Sequence, residues 1–172
     1  MVTAIVDIET NSLDASTVHC IVACEYETGK EKVWVQDECS KFASWSEKID
    51  TFIMHNGVSF DAPILNRLTG SKIKLSQVRD TLIESQLYNP IRDKGHSLAA
   101  WGDRLGFPKG TLTDFSTYTQ EMLAFCNLDV DVTYKLLRRL TGEGKDFSPQ
   151  SIKLEHEIRY LIDKQEENGF YL

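Results

Sequence analysis

Several things are missing from this 172-residue chain, and each absence removes a class of protein. No run approaches the roughly 18 apolar residues that a membrane helix needs, and no basic segment leads into an apolar stretch at the start. Neither a membrane span nor a signal peptide is indicated, and the chain is read as intracellular and cytoplasmic. Its four cysteines, Cys20, Cys24, Cys39 and Cys126, form no Cys-x-x-Cys pair, which points to reduced, partly buried thiols ahead of a disulfide or zinc site. His19, His55, His96 and His156 are scattered without His-Glu-x-x-His spacing, so His55 and His96 read as structural or secondary contacts. There is no phosphate-binding Gly-x-x-x-x-Gly-Lys-Ser/Thr loop, no Gly-x-Ser-x-Gly elbow, no internal repeat and no low-complexity stretch. Positive charge is scarce: 19 Lys and Arg face 26 Asp and Glu, a net −7 that argues against gripping duplex nucleic acid through its phosphates.

What remains is a soluble globular composition, 41% hydrophobic, long enough for one domain of ordinary size and a real core. Met1–Thr10 is apolar and β-branched, a buried strand. Val18–Tyr26 and Glu31–Gln36 follow after turns, giving an antiparallel meander of three strands. Ser40 is placed to cap a short helix through Lys48, with Phe42, Trp45 and Ile49 on one face. Thr51–His55 reads as another strand, Asn56-Gly57 as a turn, and Phe60–Leu68 as a helix. The mixture predicts an α/β or α+β sheet flanked by helices, with the chain mostly helical beyond this point. A long helix is expected from about Thr117 to Leu140, bounded by Gly142. Another should open at Ser148-Pro149 and close near Asn168-Gly169, with Ile152, Ile158, Leu161 and Ile162 on its apolar face.

Three acidic stretches carry the chemistry. In Val6-Asp7-Ile8-Glu9-Thr10, strand alternation sends Asp7 and Glu9 to one face and Val6 and Ile8 to the other. Two like charges inside a fold repel and resist desolvation, and a bound divalent cation offsets both costs; the bland alternative is an edge strand with its polar face in solvent. In His55-Asn56-Gly57-Val58-Ser59-Phe60-Asp61-Ala62-Pro63, Asp61 stands at a helix start beyond a strand end, as an N-cap or as a ligand, or both. In Phe125-Cys126-Asn127-Leu128-Asp129, Asp129 has apolar neighbours at i−4, i+3 and i+7, so it belongs on or beside a buried face while Asp131 faces solvent.

Asp7-Ile8-Glu9, Asn56 to Phe60-Asp61, and Phe125-x-x-x-Asp129 together resemble the three exonuclease motifs of the DEDD (DnaQ-like) superfamily. More narrowly, the chain is similar to the proofreading 3′→5′ exonuclease domain of family A DNA polymerases. The stretches Asp80-Thr81-Leu82, Glu84 to Pro90 and Gly95 to Gly106 look most like short-tailed bacteriophage replicative enzymes. The resemblance implies a ribonuclease H-like mixed sheet and a host-cell cytoplasmic setting if the chain is phage-encoded. It implies two Mg²⁺ or Mn²⁺ ions about 4 Å apart. Asp7, Glu9 and Asp129 would hold the first ion; Asp7 would bridge to the second, which Asp61 would reach directly or through water. The reaction would release nucleoside monophosphates from a single-stranded or frayed DNA 3′ end. Leu13 matches the position of an apolar wedge beside the terminal base, and Asn56 and Phe60 match strand contacts.

One departure bears on rate. Family A members usually place a Tyr where this chain has Phe125, and the other branch of the superfamily uses a His one position earlier, here Ala124. Losing that water-orienting group is expected to cost about 10²- to 10⁴-fold without removing the metals. Gln165 to Phe170 resembles the entry into a polymerase domain, so residues 1–147 read as the exonuclease domain and 148–172 as a helix and the start of a linker. A fragment or a naturally truncated relative is the expectation, a monomer whose partner in the same chain would be a polymerase domain. The alternatives are an RNA-trimming exonuclease and a non-catalytic domain that scaffolds or guides DNA for a polymerase.

Overall fold

The computed structural model describes residues 1–108 and 110–169; Phe170, the last residue of the polymerase-entry match, lies outside the described residues. Five strands form one sheet in the order β3-β2-β1-β4-β5: β1 Thr3–Thr10, β2 Val18–Glu25, β3 Glu31–Val35, β4 Thr51–Met54 and β5 Val78–Asp80. The meander is antiparallel, whereas β4 pairs parallel with β1, and β5 with β4. This is an α/β sheet, one of the two classes that the strand-then-helix pattern allows, and it is mixed as the family resemblance implies. β1 is the central strand, which removes the edge-strand reading of Asp7 and Glu9.

Alternation along β1 gives each face of the sheet its own core. Ala4, Val6 and Ile8 join a cluster with Phe42, Trp45 and Leu65, from α1 Phe42–Ser46 and α2 Asp61–Thr69. Ile5 faces the other way, against Met122, Cys126 and Val130 of α5 Gln120–Glu143. A third cluster packs Trp101 of α4 Leu98–Leu105 on Val132, Leu136 and Leu140 of α5. Burying side chains of this size stabilises by roughly 1.5–3 kcal/mol each, so the long α5 is held by packing along its whole length.

Element limits differ from the sequence reading where local chemistry intervenes. The helix expected from Ser40 to Lys48 is split into a 3₁₀ turn, Gln36–Lys41, and the single α-turn of α1. Ser40 Oγ donates to the Asp37 carbonyl rather than capping a helix. Phe42 and Trp45 instead lock onto Trp34, with ring centroids 5.2 and 5.1 Å away, and that packing sets the path. α5 starts at Gln120, where Thr119 Oγ1 accepts from the Met122 N–H, and runs through Gly142. It stops at Gly144, where any Cβ would meet the Tyr88 ring at 2.4 Å.

The last helix, α6 Pro149–Asn168, has the Ser148 cap, first-turn proline and terminal Gly169 that its sequence predicts. Its expected apolar face is not buried: Ile158, Leu161 and Ile162 are exposed, Leu161 by 61%. The helix packs on α3 Thr81–Tyr88 and forms polar bonds to Asp80 and to Ser59 of the β4–α2 loop, and His156 is its one buried side chain among the described residues. The four cysteines are free thiols. No helix of the described residues is long and apolar enough to cross a membrane.

Candidate metal centre

β1 and β4 part toward the C-terminal end of the central strand. β1 pairs with β4 only from Thr3 to Ile5, opposite Thr51 to Ile53, while its pairing with β2 continues to Thr10. Asp7 and Glu9 therefore lie past the point where β1 and β4 are joined, on the face covered by α5. Open α/β sheets place ligands in such a gap. Asp129, on the buried stripe of α5, projects into it from above, and Asp131 faces solvent as helical spacing requires.

Ligand oxygens of Asp7, Glu9 and Asp129 all lie within 4.8 Å of one another. Glu9 and Asp129 are buried, at 8% and 6% exposure, and Asp7 is partly buried. Burial holds the Asp7 carboxyl well above the usual carboxylate range; the charges of Asp129, Asp61 and Glu9 push it further, and a hydrogen bond from Cys126 pulls it back. Asp61, 4% exposed, is likewise raised by burial first and then by the nearby charges of Asp80, Glu9 and Asp129. The set is hard, anionic and oxygen-only, which fits Mg²⁺ or Mn²⁺ and does not suit a soft metal.

Asp61 is the first residue of α2, and Phe60 occupies the cap position without a side-chain cap bond. The N-cap reading of Asp61 is therefore replaced; its carboxylate lies outside the close group of Asp7, Glu9 and Asp129 oxygens but feels the charge of Asp80, Glu9 and Asp129. The loop that delivers it is constrained. Asn56 adopts a left-handed φ of 66°, and at Gly57 a Cβ would sit 2.2 Å from the Met54 Cβ. Asn and Gly are the residues that tolerate such positions. Asn56 and Phe60 are both partly exposed on this loop. Leu13, 89% exposed, stands at the tip of the β1–β2 loop, which Arg67 anchors by donating to the Ala15 carbonyl at 2.6 Å. Phe125 lies one helical turn before Asp129, partly exposed.

No protein-family model matches the chain. Two curated relatives do: a DNA-directed DNA polymerase of Escherichia phage T7, 26% identical over 95% of this chain, and its counterpart from Enterobacteria phage T3, 24% identical over the same share. Nearly the whole chain is similar to phage DNA polymerases. It spans about a third of their length, 32%. Among solved structures, Brucella melitensis NrnC bound to pGG superposes with a TM-score of 0.69 at 19% identity, covering 96% of this chain and 83% of that one. Phi29 DNA polymerase complexed with single-stranded DNA gives 0.59 at 15% identity, over 90% of this chain and 34% of that one. The family B polymerase of Pyrobaculum calidifontis gives 0.58 at 14%, over 82% and 24%. These likenesses establish the fold that the acidic motifs imply.

Two side chains near the centre carry no role in the motif reading. Asp80, 1% exposed, ends β5 and accepts from the N–H groups of Asn56, Val58 and Leu82 at 2.9, 3.0 and 2.9 Å. Its carboxyl is raised by burial, an effect those three bonds oppose. Cys126 brings its thiol 3.3 Å from Asp7 Oδ2 and 3.4 Å from the Asp7 carbonyl, one turn before Asp129. Asp80 stands in the Asp80-Thr81-Leu82 stretch, so its position is visible in the sequence but its partners Asn56 and Val58, more than twenty residues away, are not. His55 bonds Thr81 Oγ1 through Nδ1, and His96 bonds Ser85 Oγ, which also accepts from Trp101, in keeping with their structural reading.

Proposed function

We propose that this chain is a divalent-metal-dependent 3′→5′ exonuclease that removes nucleoside monophosphates from single-stranded or frayed DNA ends. The observation that carries the reading is the convergence of Asp7, Glu9 and Asp129 within 4.8 Å at the open end of the sheet, with Asp61 close enough to raise the Asp7 carboxyl. Two ions held there would supply an activated water and a counter-charge for the leaving 3′ oxygen. Asp7, Glu9 and Asp129 form one ligand set, and Asp7 is shared toward Asp61. Leu13 wedges beside the terminal base, and Asn56 and Phe60 hold the strand behind it, so stacking replaces the broad basic surface that the net charge of −7 denies. Similarity to phage polymerases supports a proofreading context, with this unit working as a monomer beside a polymerase domain of the same chain.

A second reading, a non-catalytic guide for DNA, is favoured by Phe125, whose ring cannot hydrogen-bond the attacking water. A 5′-labelled single-stranded DNA oligonucleotide separates the two when incubated with Mg²⁺ or Mn²⁺ and the chain itself, Asp7→Ala or Phe125→Tyr. Stepwise shortening that disappears in Asp7→Ala and accelerates in Phe125→Tyr supports the exonuclease. Metal binding with no shortening by either the chain or Phe125→Tyr leaves the guide. The same assay with an RNA oligonucleotide tests the choice of DNA.

A further inference from the structure

The helix α6 reaches the loop between β4 and α2 by two routes, one through Asp80 at the end of β5 and one directly at Ser59. His156, 7% exposed, bonds the Ile152 carbonyl through Nδ1 at 2.8 Å, so its other ring nitrogen, Nε2, is the acceptor for the Asp80 N–H at 2.9 Å. Asp80 in turn grips the Asn56 and Val58 N–H groups with its two carboxylate oxygens. At the second place, Arg159 and Asp163 form an i,i+4 ion pair at 2.5 Å that encloses one hydroxyl. Ser59 Oγ donates to Asp163 Oδ2 at 2.7 Å and accepts from Arg159 Nε at 3.0 Å. Between these anchors the backbone is in a conformation of low intrinsic preference, with Asn56 left-handed and Gly57 pressed on Met54. A segment of that kind keeps its shape only when its surroundings impose it.

We propose that α6 is the positioning strut of the substrate loop, holding Asn56 and Phe60 toward a DNA 3′ end through His156 on Asp80 and the Arg159–Asp163 pair on Ser59. The proposal rests on the exonuclease reading for its substrate and on the two anchors for its mechanism. It makes polar residues the docking elements of a helix whose apolar side chains stay half-exposed, which the amphipathic pattern alone does not explain. His156, Ser59 and Asp163 are positioning residues, since each acts through the loop backbone.

The test uses the full chain and three variants, His156→Ala, His156→Gln and Asp163→Ala, together with the double variant His156→Ala/Asp163→Ala. Amide hydrogen exchange is followed at Asn56, Val58 and Ser59, and single-strand binding by anisotropy of a fluorescein-labelled oligonucleotide. His156→Ala is expected to speed exchange at these amides by about fivefold and to weaken DNA binding, or raise KM, by a similar factor, with kcat changed less than twofold. Gln places its Oε1 near the position of Nε2 and should restore both; the double variant should exceed either single one. Unchanged loop exchange in the double variant, or a uniform rise through β1 and α5 that marks global loosening, overturns the strut. Exchange and anisotropy need no turnover. A chain that degrades no DNA would therefore sink the exonuclease reading while these two readouts still decide the strut.

Discussion

Two acidic regions lie side by side in this fold, and they are solved in opposite ways. Around β5, Glu84 is 1% exposed and takes Arg79 Nε and Nη2 at 2.6 and 3.0 Å, while the buried Asp80 takes three backbone N–H groups. There the protein supplies its own positive ends. At the end of β1, Asp7 and Asp61 are raised by burial first and then by the charge of the acids around them. The crowded set is the one that the proposed function gives to a cation from solution.

The contrast can be broken most sharply at Asp7. Asp7→Asn is expected to lower the rate of oligonucleotide shortening by about 10³-fold, read from single-turnover gels. The same change should raise the melting temperature of the metal-free chain at neutral pH, because it removes a repelling charge. Next in size, Asp80→Ala leaves three N–H groups without their acceptor and should cost about 3 kcal/mol or more in urea unfolding. Unlike Asp7→Asn, it destabilises with or without Mg²⁺. Phe125→Tyr should accelerate shortening by up to about 10²-fold and leave metal affinity alone, which titration calorimetry with Mn²⁺ checks.

The smallest expected effect is one of pH. Asp7 and Asp61 are raised above an ordinary value of 3.8, so the folded metal-free chain retains protons that the unfolded chain has released. Their contribution is fully present below that value and is lost as pH rises through the folded pKa values. Metal-free melting temperature should therefore fall by a few degrees on going from about pH 5 to about pH 8, and Mg²⁺ should flatten the slope. A metal-free curve that rises over this range would show that the cluster is not crowded in the way described.

Much of this arrangement was legible in the residues. Period-two alternation put Asp7 and Glu9 on one face, and helical spacing put Asp129 on the buried stripe and Asp131 outside, as found. The antiparallel meander was legible too, but the central place of β1 was not, because it depends on parallel pairing with β4, a segment distant in the chain. Contacts between distant segments were not legible. The Trp34–Phe42–Trp45 packing that splits the first helix, the Tyr88 ring that ends α5 at Gly144, and the hold of His156 on Asp80 are all pairings across the fold. The exposed isoleucines of α6 misled for the same reason: periodicity records which face could be buried, and the docking contacts are polar.

The grip of Asp80 falls on main-chain N–H groups alone. The side chains of Asn56 and Phe60 take no part in it, so they can be exchanged while the frame that carries them keeps its acceptor, provided that position 56 still tolerates a positive φ. If Asn56 and Phe60 hold the strand as proposed, scaffold and reading surface are separable at this loop, where preference for one polymer end over another could be rewritten without rebuilding the fold.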